Sequence, residues 1–245
     1  MFQTKVGQLI PAVNEAQMRE VDRIAVENFG LGLLQMMENA GRNLALYAID
    51  LLAGKEAPII TILAGSGGNG GGGICCARHL HNRGYQVNLI LSKAANELKG
   101  AAAQQWKILQ QAGLTPVPSA DTITAIQNAN LVIDALIGYS LQGAPRGRTA
   151  ELIELTNLHA ASILSLDVPS GMNATTGETP GTYINPQSTL TLALPKTGLR
   201  NPAAGKLILG DIGIPPQVYD ELGITFKPIF GKDYLVDFTR TEEGL

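Results

Sequence analysis

Two aspartates lie at the ends of apolar runs, where a carboxylate could act on a ligand. Asp134 ends the run that begins at Leu131, and Asp167 ends the run that begins at Ser162. Carboxylates in such positions can transfer protons or hold a hard cation. Each could instead cap a neighbouring helix or loop, and for either aspartate alone that alternative stays open. Two aspartates at one edge of a sheet favour a functional site.

A dense group of glycines predicts a ligand site close to these aspartates. Seven glycines fall between residues 65 and 73, after an apolar run and before a helix-like segment. Backbone N–H groups without side chains can approach a phosphate closely, and a helix N-terminus favours its charge. A tight turn that binds nothing is the alternative. The match to G-x-G-x-x-G within this segment is weak, because the segment is so rich in glycine.

Signals of several common enzyme classes are missing from the sequence. A dinucleotide dehydrogenase places an acidic residue after its second strand, but the corresponding residues 89–93 include none. No Tyr is followed four residues later by Lys, and no Gly-Lys-Ser/Thr occurs, so neither a short-chain dehydrogenase nor a P-loop protein is expected. The three histidines fall in helix-like segments, so a Ser-His-Asp triad is not expected.

Oxygen-bearing side chains at the predicted strand ends suggest a cation site. Asn69, Asp134 and Ser170 would form an oxygen-rich set if their segments meet. Such a set suits a hard cation and lacks the imidazole or thiolate that zinc prefers. Lys196 follows a further apolar run and could balance phosphate or carboxylate charge there, with a solvated lysine as the equal alternative.

The predicted elements indicate how these residues are positioned. One helix begins after Asn14 as its N-cap, a second covers residues 33–52, and strands then alternate with helices. This alternation predicts a mostly parallel sheet with helices on both faces, whose strand ends meet along one ligand-binding edge. The predicted strands cover 59–64, 86–91, 131–135, 162–167, 188–194 and 206–209, and the helices between them cover 71–83, 101–111 and 150–159. We predict one domain over residues 1–245, with a core of about 16–215 and a loose tail after Phe230.

Composition narrows the functional classes further. The chain has 245 residues, 45% of them hydrophobic, and a net charge of −3, so it can build a core and is not a disordered protein. The mild acidity argues against nucleic acid as the main partner, because phosphate binding needs a basic face. No run reaches the roughly 20 apolar residues of a membrane span, and no signal-peptide pattern occurs, so a cytoplasmic protein is expected. We interpret the adjacent Cys75 and Cys76 as small residues on a buried helix face, with a reactive thiol or metal pair as the alternative.

Several separate motifs in one order make the sequence similar to a known family. The motifs are residues 35–41 (QMMENAG), 65–73 with 77–80 (ARHL), 134–138 (DALIG) with Gly143, 166–171 (LDVPSG), 194–196 (LPK) and 210–215 (GDIGIP). Over about residues 16–215 the chain resembles the YjeF N-terminal domain family, whose active members are NAD(P)H-hydrate epimerases. The resemblance implies a Rossmann-like three-layer αβα sandwich with a mostly parallel sheet and two additional N-terminal helices, and it implies a homodimer.

The resemblance also implies roles for individual residues. A potassium ion is expected on Asn69, Asp134 and Ser170, and Asp167 is expected to be the general acid/base. The substrate, NADHX or NADPHX, is expected to contact the following residues: Asn69, Gly70, Gly71, Gly72, Gly73, Gly138, Tyr139, Ser140, Leu141, Gln142, Gly143, Ala144 and Lys196. Epimerisation at C6 of the hydrated ring requires loss and return of the C6 substituent. A positioned carboxylate can move the protons, and no redox cofactor is needed.

The sequence departs from the family pattern at two glycines. The family usually reads G-x-G-N-N-G-G-D-G, but Gly68 replaces the first Asn and Gly72 replaces the Asp. The missing Asp leaves a second interpretation open, namely a catalytically impaired nucleotide-binding or dimerisation/interaction module of the same fold. The kinase-like dehydratase domain of many bacterial members is not in this sequence, so a separate NAD(P)HX dehydratase is the expected partner.

Overall fold

Apolar runs form the parallel centre of a nine-stranded sheet. A computed structural model describes residues 1–241. Its strands are β1 (Phe2–Thr4), β2 (Leu9–Ile10), β3 (Ile59–Ala64), β4 (Gln86–Leu91), β5 (Leu131–Ala135), β6 (Ile163–Leu166), β7 (Ser188–Leu192), β8 (Lys206–Gly210) and β9 (Leu235–Arg240), in the order β2-β1-β9-β8-β7-β6-β5-β3-β4. Strands β3 to β8 pair in parallel, whereas β1, β2 and β9 pair antiparallel. The predicted mostly parallel sheet is confirmed.

Helices cover both faces of this sheet, as predicted. They are α1 (Glu15–Glu27), α2 (Leu33–Leu51), α3 (Gly68–His81), α4 (Gly100–Gln111), α5 (Thr122–Gln127), α6 (Gly147–His159) and α7 (Pro216–Asp220). Ile208 of β8 packs into the core beneath α2, α3 and α4, whereas its neighbours Leu207 and Leu209 pack with α1 and α7. Alternating residues of one strand therefore serve two layers of helices. Within residues 1–241, no helix combines the length and the apolar character that crossing a membrane requires.

The order of the strands reverses beside β3. This strand pairs with β4 on one side and with β5 on the other, so consecutive connections leave β3 in opposite directions. In open parallel sheets, such a reversal opens a crevice at the carboxyl ends of the strands, and ligands bind there. The glycine-rich segment follows β3 and Asp134 lies near the end of β5, so the topology brings both to this crevice.

Helix α1 begins where its capping residues predict. The Asn14 side chain accepts a hydrogen bond from the backbone N–H of Gln17 at 2.8 Å, and the Gln17 side chain accepts one from the N–H of Asn14 at 3.0 Å. This reciprocal pair satisfies two backbone donors that a helix start leaves free. The apolar face of the helix is buried, through Met18, Val21 and Ile24.

Helix α3 begins at Gly68, earlier than the predicted start at residue 71. Glycine is a weak helix former, so local propensity does not explain this start. Close packing does. A Cβ atom at Gly70 would lie 1.8 Å from the carbonyl oxygen of Gly65, and one at Gly73 would lie 2.6 Å from the Cβ of Ala135 on β5. The glycines therefore let the first turns of α3 approach the sheet more closely than any other residue allows.

The expectation of a loose tail after Phe230 is wrong for the described residues. Strand β9 lies between β8 and β1 and pairs antiparallel with both. Phe238 is buried, and its ring packs edge-to-face on Phe2 at 5.4 Å between centroids. Residues 236–239 alternate apolar and polar, as in an antiparallel strand with one buried face, but this run is short and only Phe238 is fully buried, so it is a weak strand signal in the sequence.

Candidate active site

A cavity of about 610 Å³ opens at the carboxyl edge of the sheet, at the crevice described above. Its walls come from α1, from the first half of α2, from the start of α3 and from the segments after β5, β6 and β7. Of the residues predicted to bind substrate or act in catalysis, it is lined by Asn69, Gly72, Gly138, Tyr139, Ser140, Asp167 and Lys196. Residues from distant parts of the sequence thus meet in one concave site.

Asp167 and Lys196 form a buried ion pair in this cavity. Lys196 Nζ donates to Asp167 Oδ1 and, at 2.8 Å, to the carbonyl oxygen of Leu192. Asp167 Oδ2 accepts from the backbone N–H of Tyr139 at 3.1 Å. The lysine is 1% exposed and the aspartate 4%, so Lys196 is not a solvated lysine. A buried ion pair costs desolvation energy, and its position in a concave site makes it a candidate reactive group.

Asp22 on α1 is a cavity residue that the sequence analysis did not identify. Its Oδ2 accepts a hydrogen bond of 2.5 Å from the Tyr139 hydroxyl group. Burial raises the pKa of Asp22, although the hydrogen bond from Tyr139 and the charge of Lys196 partly oppose that effect. The helical spacing in the sequence indicates that Asp22 faces inward. Asp22 lies four residues after the buried Met18, so its carboxylate is on the buried face of the helix.

Asp134 is fully buried and does not line the cavity. Its carboxylate accepts four hydrogen bonds, from the Ser170 hydroxyl at 2.5 Å, the Ser165 hydroxyl at 2.8 Å, and the backbone N–H groups of Ser170 at 2.9 Å and Leu136 at 3.2 Å. Burial raises the pKa of Asp134, and these hydrogen bonds oppose that rise. Within residues 1–241, no Lys, Arg or His side chain forms an ion pair with it. A buried carboxylate that contacts two serine hydroxyl groups and has no cationic side-chain partner fits a hard cation.

The predicted ligands are only partly in contact with one another. Asp134 and Ser170 hydrogen-bond directly, whereas Asn69 donates to the carbonyl oxygen of Leu166 at 3.3 Å. The side chains of Asn69 and Asp167 both approach Gly138. A Cβ atom at Gly138 would lie 3.2 Å from Asn69 Oδ1 and 3.2 Å from Asp167 Oδ2. The absence of a side chain at Gly138 therefore keeps these two polar groups open to each other.

The glycine segment divides into cavity-facing and packed residues. Gly68 and Gly72 line the cavity with Asn69. Gly70 and Gly73 pack as described above, and a Cβ atom at Gly71 would lie 2.6 Å from the Met37 side chain. Much of this glycine content is therefore required for packing. Contacts of the packed glycines with a ligand stay a prediction.

The segment after β5 is divided in the same way. Gly138, Tyr139 and Ser140 line the cavity, whereas the next four residues, Leu141, Gln142, Gly143 and Ala144, do not. Leu141 is buried, and Gln142 donates to Glu15 Oε1 at 3.1 Å. A role of these four residues in binding stays a prediction.

The cysteines lie on the buried side of α3, away from the cavity lining. Burial raises the pKa of Cys75 to about 12, so its thiol is unreactive at neutral pH. Glu38, Cys75 and His79 bring their ligand atoms within 4.8 Å of one another, as a metal site would. The Arg78 guanidinium, however, already occupies this group, at 2.5 Å from Glu38 Oε2 and 3.4 Å from Cys75 Sγ. The cluster is therefore a polar contact between α2 and α3.

Comparisons with known proteins agree with this architecture. The family described as YjeF-related protein N-terminus matches residues 33–198. A protein named NAD(P)H-hydrate epimerase from Dehalogenimonas lykanthroporepellens is 48% identical over 244 residues, which cover 99% of this chain and 98% of that protein. Another of that name, from Rhodopirellula baltica, is 36% identical over 221 residues, 88% of this chain and 89% of that protein.

One further relative and one solved structure extend the comparison. A bifunctional NAD(P)H-hydrate repair enzyme from Hyperthermus butylicus is 40% identical over 197 residues, which cover 78% of this chain but 36% of that protein. The crystal structure of the yeast protein ynu0 is 23% identical with a TM-score of 0.83, and the match covers 93% of this chain and 100% of that one. At this identity, the yeast structure supports the fold alone.

Proposed function

The chain belongs to the family of YjeF-related proteins defined by their N-terminal region, and on that premise we propose that it is an NAD(P)H-hydrate epimerase. Such an enzyme interconverts the R and S epimers of NAD(P)H hydrated at C6 of the nicotinamide ring. The observation that carries the proposal is the 48% identity to an epimerase across almost the whole of both chains. The buried Asp167–Lys196 pair in the cavity supplies a group that can move protons.

Asp167 is the proposed general acid/base. Its carboxylate lies at the cavity wall, where the Tyr139 N–H and the Lys196 ammonium group fix its orientation. A fixed acidic side chain can, as the protonated carboxyl group, donate a proton to the departing C6 oxygen or, as the carboxylate, accept one from the returning water. No electron transfer occurs, so the reaction agrees with the missing dehydrogenase signals.

The nicotinamide dinucleotide is proposed to lie in the 610 Å³ cavity. Asn69 and Gly72 border it at the start of α3, where free backbone N–H groups and the helix dipole favour an anionic group. Gly138, Tyr139 and Ser140 border it from the segment after β5. We propose these as the principal binding residues. The packed glycines 70, 71 and 73 and residues 141–144 remain secondary candidates.

A potassium ion is the proposed resident cation, held by Asn69, Asp134 and Ser170. The carboxylate of Asp134 supports this proposal, because it is buried, bonds to the Ser165 and Ser170 hydroxyl groups and has no cationic side-chain partner in residues 1–241. When bound, the ion supplies a fixed positive charge beside the cavity. That charge would offset the buried carboxylate and hold the segments after β5 and β6 together.

We further propose that the protein is a single-domain homodimer in the cytoplasm and that its product passes to a separate NAD(P)HX dehydratase. The single domain is supported by nine strands that join in one sheet. A separate dehydratase is supported by the bifunctional repair enzyme from Hyperthermus butylicus, because the match with this chain covers 36% of the length of that protein. The acidic net charge of −3 gives no support to a nucleic-acid partner.

The second candidate function, a nucleotide-binding or interaction module without turnover, rests on Gly72. A Cβ atom there would lie 2.9 Å from Cδ2 of Leu166, so the leucine occupies space that a side chain at position 72 would need. The Asp167–Lys196 pair is intact beside it. Gly72 therefore removes one possible contact with substrate and leaves the proton-transferring pair in place.

A coupled assay separates the two candidates. The NADHX epimer mixture is treated with an S-specific dehydratase, and recovery of NADH absorbance is followed with and without this protein. We expect the R epimer to be consumed only when the protein is present. Recovery of the S half alone, with a folded protein at high concentration, would contradict the epimerase proposal and leave the binding module.

A further inference from the structure

A second carboxylate faces the cavity from a different wall than Asp167. Asp22 projects from α1, and its Oδ2 atom accepts the hydrogen bond from the Tyr139 hydroxyl group. Its other oxygen accepts no hydrogen bond from the described residues 1–241, and the residue lines the cavity. Asp22 therefore has one oxygen atom held in place and one available to a ligand.

Tyr139 spans the distance between the two carboxylates. Its backbone N–H donates to Asp167 and its phenol donates to Asp22, so the two carboxylates stand about one tyrosine side chain apart. Lys196 Nζ lies 5.9 Å from the centroid of the tyrosine ring. Two carboxyl groups on different walls of one cavity can divide proton transfer as in inverting glycosidases, where one protonates the leaving oxygen and the other activates water on the opposite face.

Resting on the epimerase function proposed above, we propose that Asp22, positioned by Tyr139, transfers the proton on one face of the hydrated ring while Asp167 transfers it on the other. As the C6–O bond breaks, its electron pair goes to oxygen, which takes a proton from one carboxyl group and leaves as water. The N1 lone pair forms a C6=N1 iminium. A water molecule then bonds to C6 from the opposite face, its proton goes to the other carboxylate, and N1 regains its lone pair.

The charges around Asp22 suit it to this role. The groups that face it are Tyr139 after β5, Asp167 after β6, Lys196 after β7, Arg19 on α1 and Tyr219 on α7. Burial raises the pKa of Asp22, with the charge of Asp167 in the same direction, whereas Tyr139, Lys196 and Arg19 lower it in part. A carboxyl group that keeps its proton to higher pH is better able to protonate a leaving hydroxyl group.

Asp22→Asn tests the proposal without removing the contact to Tyr139, because the amide oxygen still accepts from the phenol. We expect kcat to fall about 100-fold or more, as for loss of a general acid or base, with KM little changed. One limb of the pH dependence of kcat should disappear. In Tyr139→Phe that limb should remain but shift to higher pH. The hydrogen bond from Tyr139 lowers the pKa of Asp22, so its removal should raise that pKa.

The control variant is Asp50→Asn, the same chemical change at an exposed position of α2. It should reproduce the wild-type profile. Unchanged kcat and pH limbs in Asp22→Asn, or a change in KM alone, would overturn the proposal. In oxygen-18-labelled water, each wild-type turnover of the R epimer should place labelled oxygen at C6, and turnover without label would overturn the opposite-face addition of water.

A measurement that needs no turnover separates this inference from the epimerase proposal. The near-ultraviolet absorbance of Tyr139 should change as Asp22 titrates, and Asp22→Asn should abolish that change. Absence of the titration in the wild type would overturn the Asp22–Tyr139 pair even if the protein epimerises NADHX. A wild type that shows the titration but no turnover would leave the pair supported and the proposed function contradicted.

Discussion

Asp167 owes its orientation to an unusual backbone angle and to a buried cation. Its φ of 69° lies in the left-handed region, which aspartate adopts more readily than most residues but still at a conformational cost. The angle turns the carboxylate from the end of β6 toward Lys196 and the Tyr139 N–H. The conformation thus directs the Asp167 side chain toward the cavity and does not continue strand β6.

Replacement of this carboxylate should stop the reaction and also weaken the fold. For Asp167→Asn we expect kcat to fall about 100-fold to 10,000-fold, because a general acid/base is removed. The variant also leaves the buried Lys196 ammonium group without its partner, which costs about 3–5 kcal/mol in comparable proteins. The coupled assay and urea unfolding measure the two effects separately.

A double variant separates stability from catalysis at this pair. In Asp167→Asn with Lys196→Met, no buried charge is left unpaired, so most of the lost stability should return while activity stays low. Recovery of near-normal epimerisation in either variant would remove Asp167 from the mechanism.

Asp134 should control binding through the cation and not through proton transfer. Asp134→Asn removes the buried negative charge while keeping the size of the side chain, so potassium affinity and dinucleotide affinity should fall together. Calorimetric titration with NADP⁺, with and without potassium at equal ionic strength, measures the coupling. Asp50→Asn serves again as the exposed control. Equal NADP⁺ affinity of the wild type in both salts would count against the cation proposal.

At the scale of elements, the approach of α3 to the sheet decides how the cavity is formed. Gly73 faces Ala135, whose short side chain on β5 cannot move aside. Overpacking in Gly73→Ala should therefore lower the free energy of unfolding by about 1–3 kcal/mol. The better helix propensity of alanine should offset about 1 kcal/mol of that loss. Urea unfolding measures the difference.

Gly68→Ala is the matched control on the same helix. A Cβ atom at Gly68 has nothing within 4 Å, so this variant should keep wild-type stability or exceed it slightly. Equal effects of the two substitutions would show that glycine content alone, and not contact with Ala135, governs the helix.

The contact between α2 and α3 should respond to acid. Burial by itself would raise the pKa of Glu38, but hydrogen bonds from Arg78, Cys75 and His79 outweigh it and lower the pKa to about 2, from an ordinary value of 4.5. A lowered pKa stabilises the folded state above pH 4.5, and this contribution is lost as pH falls from 4.5 to about 2. Glu38→Gln should therefore be less stable than the wild type near neutral pH.

Urea unfolding across this pH range measures that contribution. The difference between the wild type and Glu38→Gln should shrink toward zero as pH approaches 2. Glu56→Gln, at an exposed position, should show no such trend. A difference that stays constant with pH would assign the effect to packing and not to charge.

At the scale of the whole molecule, local patterns predicted the central strands well. The bounds of β3, β4 and β5 coincide with those predicted, because each is an apolar run between turn-forming residues. The positions of Asp134 and Asp167 at one edge followed from the parallel topology. The role of Asn69 as a cation ligand stays a prediction; its side chain lines the cavity and donates to the backbone carbonyl of Leu166.

What the sequence could not predict depends on distant contacts. Tyr139, the partner of Asp22, lies 117 residues away in the chain, so the pair is visible only in three dimensions. The early start of α3 depends on the space beside the small side chain of Ala135. Strand β9 depends on hydrogen bonding to β1 on one side and to β8 on the other. In each case tertiary contact overrides local propensity.

The place of β9 between β1 and β8 affects how the protein forms on the ribosome. β1 leaves the exit tunnel first and β9 follows more than two hundred residues later, yet the two are hydrogen-bonded neighbours. Until residue 240 emerges, both β1 and β8 present open edges that can pair with other chains. The nascent chain therefore carries a transient aggregation risk that ends only when β9 has paired with both strands.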